Sequence, residues 1–150
     1  MANRLKLLLP TLVSVEQFGY VEGRQFLNNI IQAHEVVHSL TRNRKAGMIM
    51  QLDLAKAYNK LNWTYIRKVL IAFGFDHNWV RWVMALVTSS SFSILVNGSP
   101  SKTFSPSRGL RQGDPFSPFI FILMMEGLGK YIKHAKEVGN VKGLQISKTR

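Results

Sequence analysis

Residues 48–58 read Met48-Ile-Met-Gln-Leu-Asp-Leu-Ala-Lys-Ala-Tyr58, and the reading of this stretch decides the fold. Met48, Met50, Leu52 and Leu54 fall on alternate positions, the period of a strand with one face on a core. Asp53 falls on the opposite face, near the strand's end. From Ala55 to Leu61 the pattern changes to that of a helical turn. A carboxylate at a strand end, just before a tight turn, is a rigid mount for a metal ion. The plainer alternative is a solvated strand-end Asp.

Upstream, Arg42, Arg44 and Lys45 form a basic loop ending at Gly47. It reads either as a solvated turn or, beside Asp53, as a phosphate contact. A helix is expected over residues 25–40, with Phe26, Ile30, Ile31 and Val37 near one stripe. His34 and His38 lie one turn apart on it, but no third metal ligand is evident, so they read as a surface pair. Residues 17–24 read as an ordered loop, and residues 2–9 as a short helix stopped by Pro10.

Downstream, Asn62 can cap a helix over residues 63–73 that Gly74 stops, and Asp76 can cap the next one. Trp79, Val80, Val83 and Val87 would face inward from that second helix. Trp63, Trp79 and Trp82 read as core or rim residues, with base stacking as the rival reading. Residues 92–96 read as a strand, Asn97-Gly98 as a hairpin turn, and residues 102–105 as the return strand. The loop Ser107-Arg-Gly-Leu-Arg-Gln-Gly-Asp-Pro115 exposes backbone and guanidinium donors together, which suits a phosphate or a base edge. Ser117 and Pro118 open a helix running to about residue 135, apolar nearly all round in its first half. Gly127 and Gly129 on it would permit close approach of another backbone. A further strand is expected over residues 143–146.

Composition narrows the function. The chain has 150 residues, of which 46% are hydrophobic and 19% charged, enough for one domain with a core. Twenty Lys and Arg against 8 Asp and Glu give a net charge of +12. The basic residues divide ten and ten between the two halves, so the charge belongs to the folded body and favours nucleic acid or another polyanion. Cysteine is absent, which removes disulfides and thiolate metal sites. No apolar run reaches the ~20 residues a bilayer needs, so no membrane partner is expected.

The motifs taken together closely resemble reverse transcriptases of non-LTR, LINE-type retrotransposons. Ala2-Asn-Arg-Leu5 with Leu8-Leu-Pro10, then Glu16-Gln-Phe-Gly-Tyr-Val-Glu-Gly-Arg24, resembles the family's fingers segment. Leu52-Asp-Leu-Ala-Lys-Ala-Tyr58 resembles its first catalytic palm motif. Val96-Asn-Gly-Ser-Pro100, then Gly109-Leu-Arg-Gln-Gly-Asp-Pro-Phe-Ser-Pro118, resembles its second palm motif and the helix that follows. The resemblance implies an α+β fold: a partial palm over about residues 48–150, a short antiparallel sheet backed by helices, and a fingers segment over about residues 1–47.

It also implies an RNA-directed DNA polymerase acting on RNA template, DNA primer and dNTP. Localisation follows only from the family's life cycle, nucleus or cytoplasm. Nucleotide addition is an in-line displacement at phosphorus assisted by two magnesium ions, for which manganese can substitute. Hard cations take oxygen ligands, so carboxylates on rigid strands are needed. By matching, Asp53 would bind metal, assisted by the carbonyl of Leu54. Tyr58 would lie under the nucleotide sugar. Gln112 and Gly113 would line the nucleotide and template pocket. Arg24, and more weakly Arg111, would handle template or incoming phosphate.

Two departures qualify the resemblance. Asn59 stands where the family usually has Asp. The family's Asp-Asp hairpin, expected soon after residue 147, does not occur before Arg150. Asp76, Asp114, Glu126, Glu16, Glu22, Glu35 and Glu137 supply no second strand-borne carboxylate. One Asp does not offset the repulsion of two close cations, so the isolated chain is expected not to polymerise. The alternative function is a non-catalytic nucleic-acid-binding remnant using Arg24, Arg42, Arg44, Lys45, Arg108 and Arg111. A sheet lacking that hairpin would leave an exposed edge open to association.

Overall fold

Ile120, Ile122, Leu123 and Met124, each at most 1% exposed, fill the centre of the molecule. They belong to the longest helix and explain why its first half is apolar nearly all round. The computed structural model describes residues 1–44 and 46–143. Within them the order is α1 (Ala2–Leu12), α2 (Phe26–Arg42), α3 (Ala57–Lys60), α4 (Trp63–Ala72), α5 (His77–Thr88), β1 (Leu95–Val96), β2 (Ser99–Pro100) and α6 (Ser117–Glu137). The fold is thus mixed, mainly helical, with one small antiparallel sheet.

Helix α6 packs against α1 and α4, and α4 packs against α5. Leu5 and Leu9 of α1 and Ile66 and Leu70 of α4 are 0–2% exposed. Burying each such side chain contributes about 1.5–3 kcal/mol. Gly127 lets α4 and α6 meet: a Cβ there would lie 3.0 Å from the Tyr65 hydroxyl and 3.3 Å from Val69. That hydroxyl donates to the Met124 carbonyl at 3.0 Å. Gly129 faces open space, so only the first of the two expected close approaches exists.

The capping expectations for α4 and α5 hold. Asn62 accepts from the Thr64 and Tyr65 amides at 2.7 and 3.2 Å. Asp76 accepts from those of Asn78 and Trp79 at 2.9 and 3.2 Å. Helix α6 begins differently from expectation. Phe116 is its N-cap, and Asp114, not Ser117, bonds the entering backbone through the Phe116 amide at 2.8 Å. Helix α1 runs past Pro10 to Leu12, because the proline falls in the last turn and costs one hydrogen bond. Buried Leu5 and Leu9, and a Val13 amide bond to the Leu9 carbonyl at 3.0 Å, carry the helix through.

The central strand is the main correction. Residues 48–54 form no strand, and Met48, Met50, Leu52 and Leu54 are 75%, 65%, 69% and 45% exposed. Two-residue alternation specifies which face a strand would bury, but a ladder needs a neighbouring strand. Among the described residues none lies alongside. The expected sheet backed by helices is correspondingly reduced to the hairpin β1–β2, which is exposed. Asn97 and Gly98 have φ of 49° and 82°, as a turn with two left-handed residues requires. Phe92 and Phe104 extend the pairing by an isolated bridge. Their one-residue offset from the Leu95–Pro100 register marks a bulge on the return strand. Helix α2 matches its expected range, yet Ile30, Ile31 and Val37 stay exposed. Most of the strand expected over residues 143–146 lies outside the described residues.

Replacing Leu123 by Ala should lower unfolding free energy by about 2–5 kcal/mol. Gly127→Leu should lower it by about 1–3 kcal/mol by forcing α4 from α6. Urea unfolding followed by circular dichroism measures both. A Gly127→Leu midpoint equal to that of the unsubstituted chain would contradict the close approach.

Candidate nucleotide and nucleic-acid site

Three main-chain and indole hydrogen bonds clasp the Arg-Gly loop onto α3 and the start of α4. The Gly109 amide donates to the Leu61 carbonyl at 2.7 Å, and the Leu110 amide to that of Tyr58 at 2.8 Å. The Trp63 indole donates to the Gly109 carbonyl at 2.8 Å. Gly109 has φ of 95°, and a Cβ there would stand 2.9 Å from the Asn59 carbonyl oxygen. Only glycine meets both the conformation and the contact. Leu110, 5% exposed, anchors the loop in the core.

The clasp brings together residues that the sequence separates by about fifty positions. On one side of α3, Asp53 and Leu54 line a groove of 580 Å³ with Lys60, Tyr65, Phe121 and Met124. On the other, Arg108 and Arg111 line a recess of 440 Å³ with Asn59, Ser90, Phe92 and Phe104. Tyr58 lies on α3, and its ring stacks on Phe121 at 4.7 Å and 14°. Burial, with Tyr20 contributing, raises the Tyr58 phenol above its usual pKa of 10.0. Gln112 and Gly113 are exposed at the loop's far end, where Gly113 has φ of 84°.

Other candidates lie elsewhere. Arg24 donates to the main-chain carbonyls of Ser14 and Gln17, and at longer range to those of Pro10 and Val13. It thereby ties the last turn of α1 to the turn that follows it. Arg42 ends α2, and Arg44, with φ of 48°, lines a small recess with Val37, Thr41 and Ile49. Neither lines the recess of Arg108 and Arg111. Lys45 lies outside the described residues. Among the described residues no three His, Asp or Glu side chains gather as a metal site. Asp53 alone therefore does not fit the donor set of a divalent-ion pair.

Sequence reasoning named Glu126 but not its burial or its partners. It is 6% exposed on α6, and its carboxylate accepts from the Ser14 amide at 3.0 Å and the Ser14 hydroxyl at 2.8 Å. A lone acid amid the apolar run was the available signal, because a buried carboxylate needs partners.

With the geometry in place, comparison with known proteins gives the affiliation. Residues 1–146 match the family described as reverse transcriptase (RNA-dependent DNA polymerase). The chain belongs to the reverse transcriptase family. It is 36% identical over 112 residues to the Pol polyprotein of a type-2 retrotransposable element of Drosophila melanogaster, covering 75% of this chain and 11% of that protein. An uncharacterized protein of transposon TX1 from Xenopus laevis is 26% identical over 82% of this chain and 9% of its own length. An uncharacterized mitochondrial protein of Arabidopsis thaliana is 47% identical over 35% of this chain and 43% of its own. The chain thus spans less than half the length of each of these relatives. The relatives place it among non-LTR reverse transcriptases. No described helix is long and apolar enough to cross a membrane.

Gly109→Ala should release the clasp, lowering the melting temperature by several degrees and exposing Trp63. A red-shifted tryptophan emission at temperatures below the transition would register the release. Because the Tyr58 phenol is raised, its neutral form is favoured by folding. Its contribution is full below pH 10 and is lost as pH rises through the folded value. Denaturant midpoints should therefore fall above pH 10, and Tyr58→Phe should flatten that fall.

Proposed function

We propose that this chain is the part of an RNA-directed DNA polymerase that receives the incoming nucleotide and the template. The observation that supports this is the Gly109–Leu110 clasp, which ties the arginine-glycine loop to Tyr58 and Leu61, a few residues after Asp53, within a reverse transcriptase sequence. On this reading residues 48–150 are palm and residues 1–47 fingers. Asp53, with the Leu54 carbonyl, is one part of a ligand set for magnesium or manganese that is incomplete among the described residues. Tyr58 presents a ring edge under the nucleotide sugar. Gln112 and Gly113 offer an amide and an open backbone to the base pair. Arg111 and Arg108 neutralise phosphate from the recess across α3. Arg24, Arg42, Arg44 and Lys45 add backbone charge. RNA template, DNA primer and dNTP are the partners this assigns.

The isolated carboxylate favours a second, narrower statement about this chain by itself: it binds nucleic acid without turning over nucleotide. The +12 charge supports the binding half. Binding of an RNA–DNA hybrid should weaken with salt, by a slope of about 0.7–0.9 per phosphate neutralised. Fluorescence anisotropy across a salt series measures it. Primer extension on an RNA template with magnesium or manganese should give no template-dependent product. Extension that Asp53→Asn abolishes would overturn the inactivity. Equal manganese affinity in the unsubstituted and Asp53→Asn chains would remove Asp53 from the metal role.

A further inference from the structure

We infer that the outer face of the α4–α5 pair is a second contact for single-stranded nucleic acid, built from Arg67, Arg81 and Trp82. This rests on the reading above that the chain binds nucleic acid. Arg67 of α4 and His77, Asn78 and Arg81 of α5 line one recess of 400 Å³, floored by Val80 and Met84. The recess shares no lining residue with the Asp53 groove or the Arg108–Arg111 recess.

Its charge is uncompensated. Among the described residues the ion pairs are Lys6–Glu22 and His134–Glu137, so neither guanidinium is matched by a carboxylate. The nearest acid in sequence, Asp76, caps α5 through one carboxylate oxygen and pairs with neither arginine. Arg81 is steadied by a 3.1 Å bond to the Asn78 side chain, which leaves its remaining donors available. Two guanidiniums converging on one recess suit the oxygens of a phosphodiester.

Trp82 supplies the second element. Trp63 is engaged through its indole N–H, and Trp79 is stacked on Phe75 at 4.3 Å. Trp82 is 57% exposed, follows Arg81 directly, and has no aromatic partner among the described residues. Trp82 lies outside the recess, one position along α5 from Arg81, so its bare indole offers a face for the unpaired base that flanks a phosphate held there. That pairing selects a single strand over a duplex, whose bases are already stacked, and over an acidic peptide, which has no base.

The test uses the full chain and a 5′-labelled single-stranded RNA in a salt series. Arg67→Gln with Arg81→Gln should weaken binding about 10-fold at low salt and reduce the salt slope by about 1.4, two phosphates at ~0.7 each. Trp82→Ala should weaken binding roughly 10-fold with the slope unchanged. Trp82→Phe should retain affinity yet lose the RNA-induced quenching of tryptophan emission. All these side chains are exposed, so melting temperatures should stay within a few degrees. If the unsubstituted chain binds RNA while the variants bind with the same affinity and slope, the inference falls and the parent reading stands. If the unsubstituted chain shows no salt-dependent binding, both fall. Equal displacement of the RNA by poly-glutamate of the same charge would also overturn the stacking platform.

Discussion

The close contact of Gly109 with the backbone of Asn59 is the constraint on which the site depends. Without a side chain at Gly109, two main-chain bonds to Tyr58 and Leu61 and one indole bond from Trp63 can form between the loop and the α3–α4 junction. Those bonds place two arginines on one side of a single short helix and the Asp53 groove on the other. Helix α3 has only four residues and could not hold that geometry unaided. Its order comes from Leu110 and Phe116, buried on the loop side, and from the stacked Tyr58–Phe121 pair. The candidate chemistry is thus positioned by core packing transmitted through a backbone clasp.

What was legible in the sequence was local. Asn62 and Asp76 cap because a short acceptor before an apolar-periodic run satisfies amides two and three residues on, a relation contained within a few residues. Asn97-Gly98 turns for the same kind of reason. The motif residues, read in order, led to the correct family. The illegible features depend on partners distant in sequence. Residues 48–54 carry a strand's alternation, but whether a strand forms is decided by a neighbour, and none is alongside among the described residues. Gly127 and Gly129 look equivalent on α6, yet Tyr65 and Val69 from α4 stand opposite only the first. The apolar stripe of α2 was correctly read as a stripe, while its exposure was not readable at all.

Glu126 and Arg24 show how far such partnerships reach. The Glu126 carboxylate holds the Ser14 amide and hydroxyl across 112 residues of sequence, and the Ser14 carbonyl in turn accepts from Arg24. A carboxylate on the apolar side of α6 is tolerable because those donors replace water. The resulting chain, from α6 through Ser14 to Arg24, ties residues 14–24 to the helix that follows the Arg-Gly loop. Residues 14–24 are therefore fastened to the helix that also carries Phe121, the stacking partner of Tyr58.

This tie bears on how Arg24 can serve a phosphate. Its two terminal nitrogens already face four carbonyls at the end of α1 and in the turn after it. Bonds from a charged donor are worth about 1.5–3 kcal/mol each, so full transfer to an incoming phosphate would remove the charged donor that Arg24 supplies to the end of α1 and the turn after it. The two shorter contacts, to Ser14 and Gln17, run through one nitrogen; the two to Pro10 and Val13 are 3.4 Å long and run through the other. The second nitrogen is the one that can turn outward at small cost. A phosphate contact by Arg24 is then compatible with its structural role when the guanidinium pivots about the nitrogen that grips Ser14 and Gln17, keeping residues 14–24 in place while one edge of the fork is released.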